Sequence, residues 1–147
     1  MLNKTFAVVD LETTGNNLEK DNIIQLSIVF VRNFKITGQY NTFLSDETTV
    51  SPFIRELTNI SSDMLIGAPK FNDVAGDIKS QLEDAVFVAH NVDFDLTFLQ
   101  SAFKSAGLSY NPVHTLDTVE LVRIFLPSVA GYQLHLVAEH LGIELSQ

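Results

Sequence analysis

The first strongly apolar segment of the chain, FAVVDLETTG at residues 6–15, ends in acidic and polar residues. Residues 6–12 begin with four consecutive apolar residues, so that both faces of the predicted strand carry apolar side chains. This pattern is typical of a central strand covered on both faces. NIIQLSIVFVRN, at 22–33, and KITGQYNTFL, at 35–44, predict two further strands that meet at a turn near residues 33–35. These three segments together predict an antiparallel meander.

Helical spacing of apolar residues begins after the meander. Residues 52–57 predict a short helix. A longer helix is predicted by apolar residues four apart, Val74, Ile78 and Leu82, after possible caps at Asn72 and Asp73.

The second half of the chain alternates short apolar strands with helices. The predicted elements are a strand at 85–91, a helix at 94–106 ended by Gly107, a strand at 112–118, a helix at 119–126 ended by Pro127 and a last helix ended by Gly142. The buried side of that last helix is predicted to consist of Leu134, Val137, Ala138 and Leu141. The chain is therefore predicted to be α/β, with a central mixed sheet of three antiparallel strands followed by strand–helix alternation.

Length and composition indicate one compact domain spanning 1–147. With 147 residues and 46% apolar content, the chain can bury one core. It has no cysteine, which excludes disulfides and thiolate zinc sites. The first residues, MLNKTFAVVD, do not form a signal peptide, and no segment approaches the roughly 18 apolar residues of a membrane span. These features predict a cytoplasmic protein with no membrane association.

The acidic balance limits how the chain can bind nucleic acid. Asp and Glu number 18 against 9 Lys and Arg, giving a net charge of −9. This charge argues against binding by general phosphate neutralisation, so any binding must be local or metal-assisted.

Two acidic pairs are the candidates for chemistry. Asp10 and Glu12 are two apart in a strand and lie on the same face, about 6.6 Å apart along the backbone. Oxygen ligands of this kind favour magnesium or manganese, but an isolated pair of this spacing is more often simply solvated at a strand end. Asp93 and Asp95 stand where the second apolar strand turns into a helix, and there they could instead cap it. Spacing alone does not choose between these alternatives.

The motifs VDLETTG and AHNVDFDLTFL resemble, in order and spacing, the first two motifs of the DEDD or DnaQ-like proofreading 3′–5′ exonuclease superfamily, which has a ribonuclease H-like fold. LTNISSDMLIGAPKFNDV is similar to the family's connecting segment, except that Asn59 replaces the usual glycine. LDTVELVRIFLP and YQLHLVAEHLGIEL resemble later elements, so the resemblance covers essentially the whole chain. Its pattern is similar to exonuclease modules of bacterial DNA polymerase III and of helicase-like proteins of Gram-positive bacteria.

The resemblance implies specific roles for the acidic residues. Asp10, Glu12 and Asp95 match the carboxylates that hold two divalent cations, Mg²⁺ or Mn²⁺, around the scissile phosphate. Asp93 remains a cap or a surface residue. The implied reaction is the metal-dependent removal of nucleotides from DNA 3′ ends, with RNA as an open possibility.

The resemblance also implies residues that contact the terminal nucleotide. Thr13, Thr14 and Gly15 would offer backbone N–H and hydroxyl groups, Leu57 would wedge against the base, and Asn91 would face a phosphate or sugar. Each has an alternative: Gly15 and Asn91 as turn residues, and Leu57 as part of the core.

The third family motif is absent from residues 1–147. Its histidine form, His then Asp five residues later, and its tyrosine form, Tyr then Asp four residues later, do not follow the last helix. His135 and His140, with Glu139, are predicted to form a solvated helix face, and His114 to be a strand residue. We therefore expect a domain without its C-terminal helix, lacking the general base and the fourth carboxylate.

Two functional classes remain open from the sequence. The first is an exonuclease domain that is weakly active or inactive in this length, acts on single-stranded 3′ ends and depends on a polymerase or helicase module for affinity. The alternative is a nuclease-like fold that no longer cleaves and serves as an interaction or DNA-end-binding module.

Overall fold

The computed structural model describes residues 3–45 and 49–145. The strands are β1 Thr5–Thr13, β2 Ile23–Arg32, β3 Lys35–Phe43, β4 Val86–Ala89 and β5 Thr115–Asp117. The α-helices are α1 Pro52–Thr58, α2 Phe71–Leu82, α3 Val92–Ser105, α4 Thr118–Phe125 and α5 Leu134–His140. A 3₁₀ turn, Ser62–Leu65, follows α1.

The strands form one mixed sheet in the order β3-β2-β1-β4-β5. β1 pairs antiparallel with β2, and β2 pairs antiparallel with β3. β4 lies parallel to β1 and to β5. The predicted meander and the strand–helix alternation that follows it are confirmed, with β1 at the centre.

The two faces of β1 differ in burial, which corrects the expectation that both are covered. Ala7, Val9 and Leu11 are buried in the main core, to which α2 and α3 contribute. On the opposite face, Val8 is 39% exposed and Asp10 is also exposed. Because the helices that contribute most to the core pack on one side of the sheet, the other face of β1 remains accessible.

A β-bulge near the end of β1 places α1 beside the acidic residues. The register shifts between Glu12 and Thr13, so that Thr13 pairs with Ile23 and Ile24 is skipped. Ile23 joins the main core, whereas Ile24 joins a second buried cluster that includes Ile54 of α1. An extra residue in one strand allows two consecutive side chains to be buried in different clusters.

Several predicted boundaries are wrong by a few residues. α2 begins at Phe71 after the N-cap Lys70, so Asn72 is inside the helix and is not its cap. Asp73 does cap the helix, but from its third position, where Oδ2 accepts the Lys70 N–H at 3.1 Å. The buried Phe71 side chain explains the earlier start, because the first helical residue is anchored in the core.

The later elements differ in a similar way. The bounds are Val86–Ala89 for β4, Val92–Ser105 for α3, Thr115–Asp117 for β5 and Thr118–Phe125 for α4. α3 begins two residues before the predicted position because its first amides donate hydrogen bonds to the carboxylate of a distant residue, Asp117. Gly107 and Gly142 have φ values of +73° and +68°, which confirms both as helix-ending residues.

The predicted buried side of α5 is only half correct. Val137 and Ala138 are buried, but Leu134 is 52% and Leu141 51% exposed. The two leucines line a groove over which no described residue packs. Their helical spacing therefore predicted an apolar surface correctly, but it did not predict whether that surface is buried.

Tyr110 provides a test of the core. Its ring packs with Phe87 and Phe103, its hydroxyl is buried without a hydrogen-bond partner among the described residues, and burial raises its pKa to about 12. A buried unsatisfied polar group costs about 1–3 kcal/mol, so Tyr110→Phe is expected to leave the free energy of unfolding unchanged or raise it by about 1 kcal/mol. Urea denaturation would measure this, with Tyr132→Phe at an exposed ring as the control. A loss above about 1 kcal/mol would show that the hydroxyl is hydrogen-bonded in solution.

Among residues 3–45 and 49–145, no helix is long and apolar enough to cross a membrane.

Candidate active site

The first two acidic residues lie together on the accessible face of β1. The burial pattern alternates along the strand, with Leu11 and Thr13 buried and Asp10 and Glu12 facing the other side. Asp10 is exposed and Glu12 is partly buried. Asp10 and Glu12 thus lie on one face of β1, as their spacing in the sequence predicts.

Asp95 approaches the same strand from the first turn of α3. Its side chain is 6% exposed, and its Oδ1 accepts the Leu11 backbone N–H at 3.0 Å. The pairing of β1 with β4 ends at Val8, so N–H groups of β1 beyond this point that face α3 need another acceptor. Asp95 supplies that acceptor, and this hydrogen bond fixes it beside the strand segment that carries Asp10 and Glu12.

The charge of Asp10 raises the pKa values of both Glu12 and Asp95. Burial raises the pKa of Asp95 to about 7, the charges of Asp10 and Glu12 add to the rise, and the Leu11 hydrogen bond opposes it. Desolvation raises the pKa of Asp10, while the nearby His90 lowers it. Desolvation and then the charge of Asp10 raise the pKa of Glu12. Acids that repel one another in this way are an arrangement that a cation would relieve.

The side chains do not yet surround a common point. Within the part of the chain that the structure describes, no group of three acidic or histidine residues could hold a metal ion as it stands. Asp95 directs one oxygen to the Leu11 N–H, whereas Asp10 and Glu12 reach solvent and can change rotamer. The donor set, three carboxylates, matches the oxygen ligands that Mg²⁺ and Mn²⁺ prefer. The residues therefore fit a divalent cation chemically, provided that the two β1 side chains reorient.

The residues after Glu12 form a loop held by its own side chains. Thr13 Oγ1 donates to the Gly15 carbonyl at 2.6 Å, and Thr14 Oγ1 donates to Asp21 Oδ1 at 3.0 Å. A Cβ on Gly15 would lie 2.4 Å from Asp21 Oδ2, so this position excludes a side chain unless Asp21 moves. In this structure both hydroxyl groups are engaged in holding the loop, and their contact with a nucleotide stays a prediction.

An apolar cleft adjoins the acidic residues. It has a volume of about 370 Å³ and is lined by Leu11, Glu12, Thr13, Gly15, Asn16, Phe53, Ile54, Leu57, Thr58 and Phe94. Leu57 is 68% exposed, so its alternative interpretation as core is wrong. Phe53, one helical turn earlier and 71% exposed, was not singled out from the sequence. Its four-residue spacing from Leu57 was the available signal, together with the aromatic Phe94 beside Asp95.

Asn91 adopts a left-handed conformation, with φ of 74°, at the N-cap of α3. Its interpretation as a turn residue is therefore correct. Asn91 is exposed, so its proposed contact with a phosphate or sugar stays a prediction.

The histidines are placed largely as expected. His135, His140 and Glu139 are exposed, which confirms the solvated face. His114 lies immediately before β5 and not within it, which corrects its assignment as a strand residue. His90 contacts Thr118 Oγ1 through Nδ1 at 2.8 Å and the Tyr132 carbonyl through Nε2 at 2.6 Å. Because a carbonyl only accepts, Nε2 is assigned the proton.

An apolar groove of about 540 Å³ begins at His90 and runs between α4 and α5. It is lined by His90, Thr118, Leu121, Val122, Phe125, Leu126, Leu134, Val137, Ala138, Leu141, Ile143 and Leu145. Phe125 is 71% exposed and Ile143 55% exposed, so the groove is open. Apolar surfaces of this kind in soluble proteins usually mark an interaction site.

Comparison with known proteins gives one family. The family model RNase_T, described as Exonuclease, matches residues 7–147. The 3′-5′ exonuclease DinG of Staphylococcus aureus strain USA300 is 48% identical over 142 residues, which cover 97% of this chain and 16% of the relative. The chain thus spans about a sixth of the length of the curated relatives it matches.

Solved structures show the same fold at low sequence identity. A product-bound exonuclease I superposes with a TM-score of 0.85 at 17% identity, covering 99% of this chain and 40% of the other. Escherichia coli exonuclease I in complex with a dT13 oligonucleotide gives 0.84 at 18% identity, covering 97% and 37%. The nuclease domain of 3′hExo, a DEDDh family member bound to rAMP, gives 0.81 at 18% identity, covering 99% and 82%. The chain therefore belongs to the RNase_T exonuclease family, and it has the ribonuclease H-like fold of exonuclease I and of the DEDDh nuclease domain.

Proposed function

We propose that this chain carries the metal-binding and nucleotide-binding parts of a 3′–5′ exonuclease domain that hydrolyses single-stranded DNA from its 3′ end. The observation that carries the proposal is the position of Asp95, whose Oδ1 accepts the Leu11 N–H beside the strand segment from which Asp10 and Glu12 project on the accessible face. A purely structural domain has no evident need for a buried carboxylate whose pKa is raised to about 7 beside two further acids.

In this proposal Asp10, Glu12 and Asp95 hold divalent cations, Mg²⁺ or Mn²⁺. When bound, such ions lower the pKa of the attacking water and stabilise the charge on the leaving 3′ oxygen. Asp95 holds its orientation through the Leu11 N–H. Asp10 and Glu12, which are accessible on the same face, complete the oxygen donor set.

We further propose that the terminal nucleotide binds in the apolar cleft next to Glu12. Phe53, Leu57 and Phe94 offer apolar surface to a base, as stacking and wedging contacts require. Thr13, Thr14, Gly15 and Asn91 lie around the same end of β1 and α3, as candidate contacts for the sugar and phosphate. The dT13 and rAMP bound by two of the structural neighbours support a nucleotide ligand but leave the sugar open.

The apolar groove is proposed to receive a helix that bears the third motif and follows residue 147 in a longer chain. Leu145 lines the groove, so a continuing segment would emerge beside it. The groove also reaches His90, which contacts the start of α4 and lies near Asp10. A helix in this position would be adjacent to the acidic residues and could add the missing base and carboxylate.

Partners and location are proposed on the same basis. With a net charge of −9, the domain should bind DNA weakly, and a polymerase or helicase module in the same or an associated chain would raise the effective DNA concentration. Its match to a small part of the longer Staphylococcus relatives supports a multidomain setting. The absence of cysteine supports a cytoplasmic location.

Substitution of Asp95 tests the proposed function. In a chain extended along its reading frame, Asp95→Asn is expected to slow Mn²⁺-dependent release from the 3′ end of single-stranded DNA by about 10³-fold, because a metal ligand supports several kcal/mol of charge stabilisation. Asp93→Asn, an exposed acid of the same helical turn, is the matched control and should retain activity. A 5′-labelled oligonucleotide and its RNA counterpart would show the products. Equal rates for Asp95→Asn and the parent would contradict the proposal.

A further inference from the structure

Asp117, the last residue of β5, binds the N-termini of two helices through one carboxylate. Its Oδ1 accepts the N–H groups of Asn91 at 3.1 Å and Val119 at 2.8 Å, and its Oδ2 accepts the N–H of Val92 at 3.2 Å. Asn91 and Val92 begin α3, whereas Val119 belongs to the first turn of α4. Asp117 therefore links the starts of two helices to the sheet.

The start of α3 depends on this distant side chain. The N-cap residue Asn91 has left-handed backbone geometry and makes no side-chain capping hydrogen bond. Asp93, the acidic residue of the first turn, is exposed. The acceptor for the first amides of α3 is instead supplied from a residue 26 positions later in the chain. The position of the first turn of α3 is thus fixed from the β5 side.

The same turn carries Asp95. Asp95 is three residues after Val92, and its Oδ1 accepts the Leu11 N–H of β1 at 3.0 Å. The first turn of α3 is therefore held at two points, by Asp117 at its beginning and by β1 at Asp95. A shift of the helix start would move the Asp95 carboxylate relative to Asp10 and Glu12.

We propose that Asp117 is a positioning residue for the active site: by fixing the first turn of α3, it holds the carboxylate of Asp95 where it can share a divalent cation with Asp10 and Glu12. The metal-binding part of this inference rests on the proposed function. The placement of Asp95 against β1 does not, and it can be measured without metal.

The substitution Asp117→Asn is expected to weaken the contact with α3 while leaving the contact with α4 intact. An amide oxygen at the position of Oδ1 keeps the bonds to Asn91 and Val119, and so keeps the cap of α4. The amide NH₂ then faces the Val92 N–H, which places a donor against a donor. If the amide were flipped, its NH₂ group would face the N–H groups of both Asn91 and Val119, which is less favourable because two donors would then lack an acceptor. The substitution thus loosens α3 at Val92 while it retains α4.

The expected result is a selective loss of metal affinity. Isothermal titration should give a Mn²⁺ dissociation constant raised about 10-fold for Asp117→Asn, the lower end of the 10- to 100-fold typical of residues that orient metal ligands. In the metal-free state, the Leu11 amide should shift in ¹⁵N spectra and exchange faster with solvent, because its acceptor has moved. The Ala7 amide, within the paired region of β1, is the internal control.

Asp93→Asn is the matched control variant, because it removes the same charge from the same helix start. It should leave both the Mn²⁺ affinity and the Leu11 amide close to the parent. Urea denaturation at low temperature would establish that each variant is folded under the conditions of titration. Asp117→Ser, whose hydroxyl can still cap α4, replaces Asp117→Asn if the latter does not fold.

The two hypotheses fail in different ways. If the parent does not bind Mn²⁺, the proposed function is wrong, and the Leu11 amide alone decides whether Asp117 positions Asp95. If the parent binds Mn²⁺ and the folded Asp117 variant matches it in both affinity and Leu11 exchange, the positioning role is wrong. Reduced stability with unchanged Leu11 signal and unchanged Mn²⁺ affinity would likewise assign Asp117 a purely structural role.

Discussion

Extension of this chain by roughly 30 residues along its natural reading frame is expected to raise the rate of 3′-end release by about 10²- to 10⁴-fold, the contribution typical of a general base. Within residues 1–147, Asp10, Glu12 and Asp95 are present, but the third motif that would add a base and a fourth carboxylate is not. His90, the only histidine with Asp at the family's offset, is engaged with Thr118 and the Tyr132 carbonyl, so we expect that it does not replace the base.

The measurement is the Mn²⁺-dependent release of nucleotides from a single-stranded oligonucleotide by the 147-residue and extended chains at equal concentration. The apolar groove adds an independent readout. If the added segment packs there, it covers exposed Phe125 and Leu141, and the short chain should self-associate more strongly in sedimentation experiments. A control extension of the same length, with Ser in place of its apolar residues, should restore neither property.

Three outcomes are informative. A large gain in rate supports an exonuclease whose site is completed by the added segment. Equal, manganese-dependent rates for both chains would contradict the role of the third motif and require a base within residues 1–147. Inactivity of both chains would favour the alternative of a nuclease-like binding module that no longer cleaves.

Removal of Asp10 is expected to stabilise the metal-free protein at alkaline pH and to reduce its stabilisation by manganese. The pKa of Asp95 is about 7 in the fold against an ordinary value of 3.8, so the folded state binds its proton more tightly than the unfolded state does. The resulting stability is present below about pH 4 and is lost as the pH rises through about 7, at a total cost of up to about 4 kcal/mol. Metal-free parent protein should therefore unfold more easily at pH 8 than at pH 5.

Asp10→Ala removes the second cause of the raised Asp95 pKa and leaves the first, which is burial. The loss of stability between about pH 4 and 8 should become smaller but should not vanish. Manganese should stabilise the parent protein. At a free concentration 100 times its dissociation constant, the bound ion adds about 2.7 kcal/mol to the free energy of unfolding. Asp10→Ala should gain much less, because it has lost a ligand.

Thermal melts at two pH values, each with and without manganese, would measure both effects. Asp93→Ala serves as control, because Asp93 is an exposed acid and should change neither the pH dependence nor the manganese shift. Equal manganese-induced shifts in melting temperature for the parent and Asp10→Ala would contradict the assignment of Asp10 as a metal ligand. A metal-free stability that does not fall with pH would contradict the raised pKa of Asp95.

Local sequence patterns were sufficient for most elements of the fold. The alternating and continuous apolar runs predicted β1, β2 and β3, and glycine positions after apolar helical stripes predicted the ends of α3 and α5. The two acidic motifs were also visible, because a carboxylate at the end of an apolar strand is conspicuous in any sequence. These features depend on residues that are close in the sequence, within one or two helical turns or within a few residues of one strand. No tertiary information was therefore needed to predict them.

Only the tertiary structure decided what depends on distant residues. α3 begins at Val92 because Asp117, 26 residues after Asn91, binds its first amides, and no local capping pattern indicates this. The family motif had already selected Asp95 over Asp93, but only the structure supplies the physical reason: the Leu11 N–H, 84 residues earlier, binds the Asp95 carboxylate, whereas Asp93 stays exposed. Likewise, helical spacing predicted that Leu134 and Leu141, at the two ends of α5, would be buried. Both are exposed, because burial depends on whether another element packs over the side chain. The sequence by itself determined the elements and the acidic candidates, whereas long-range hydrogen bonds and packing decided where each helix begins and which apolar and acidic side chains are buried.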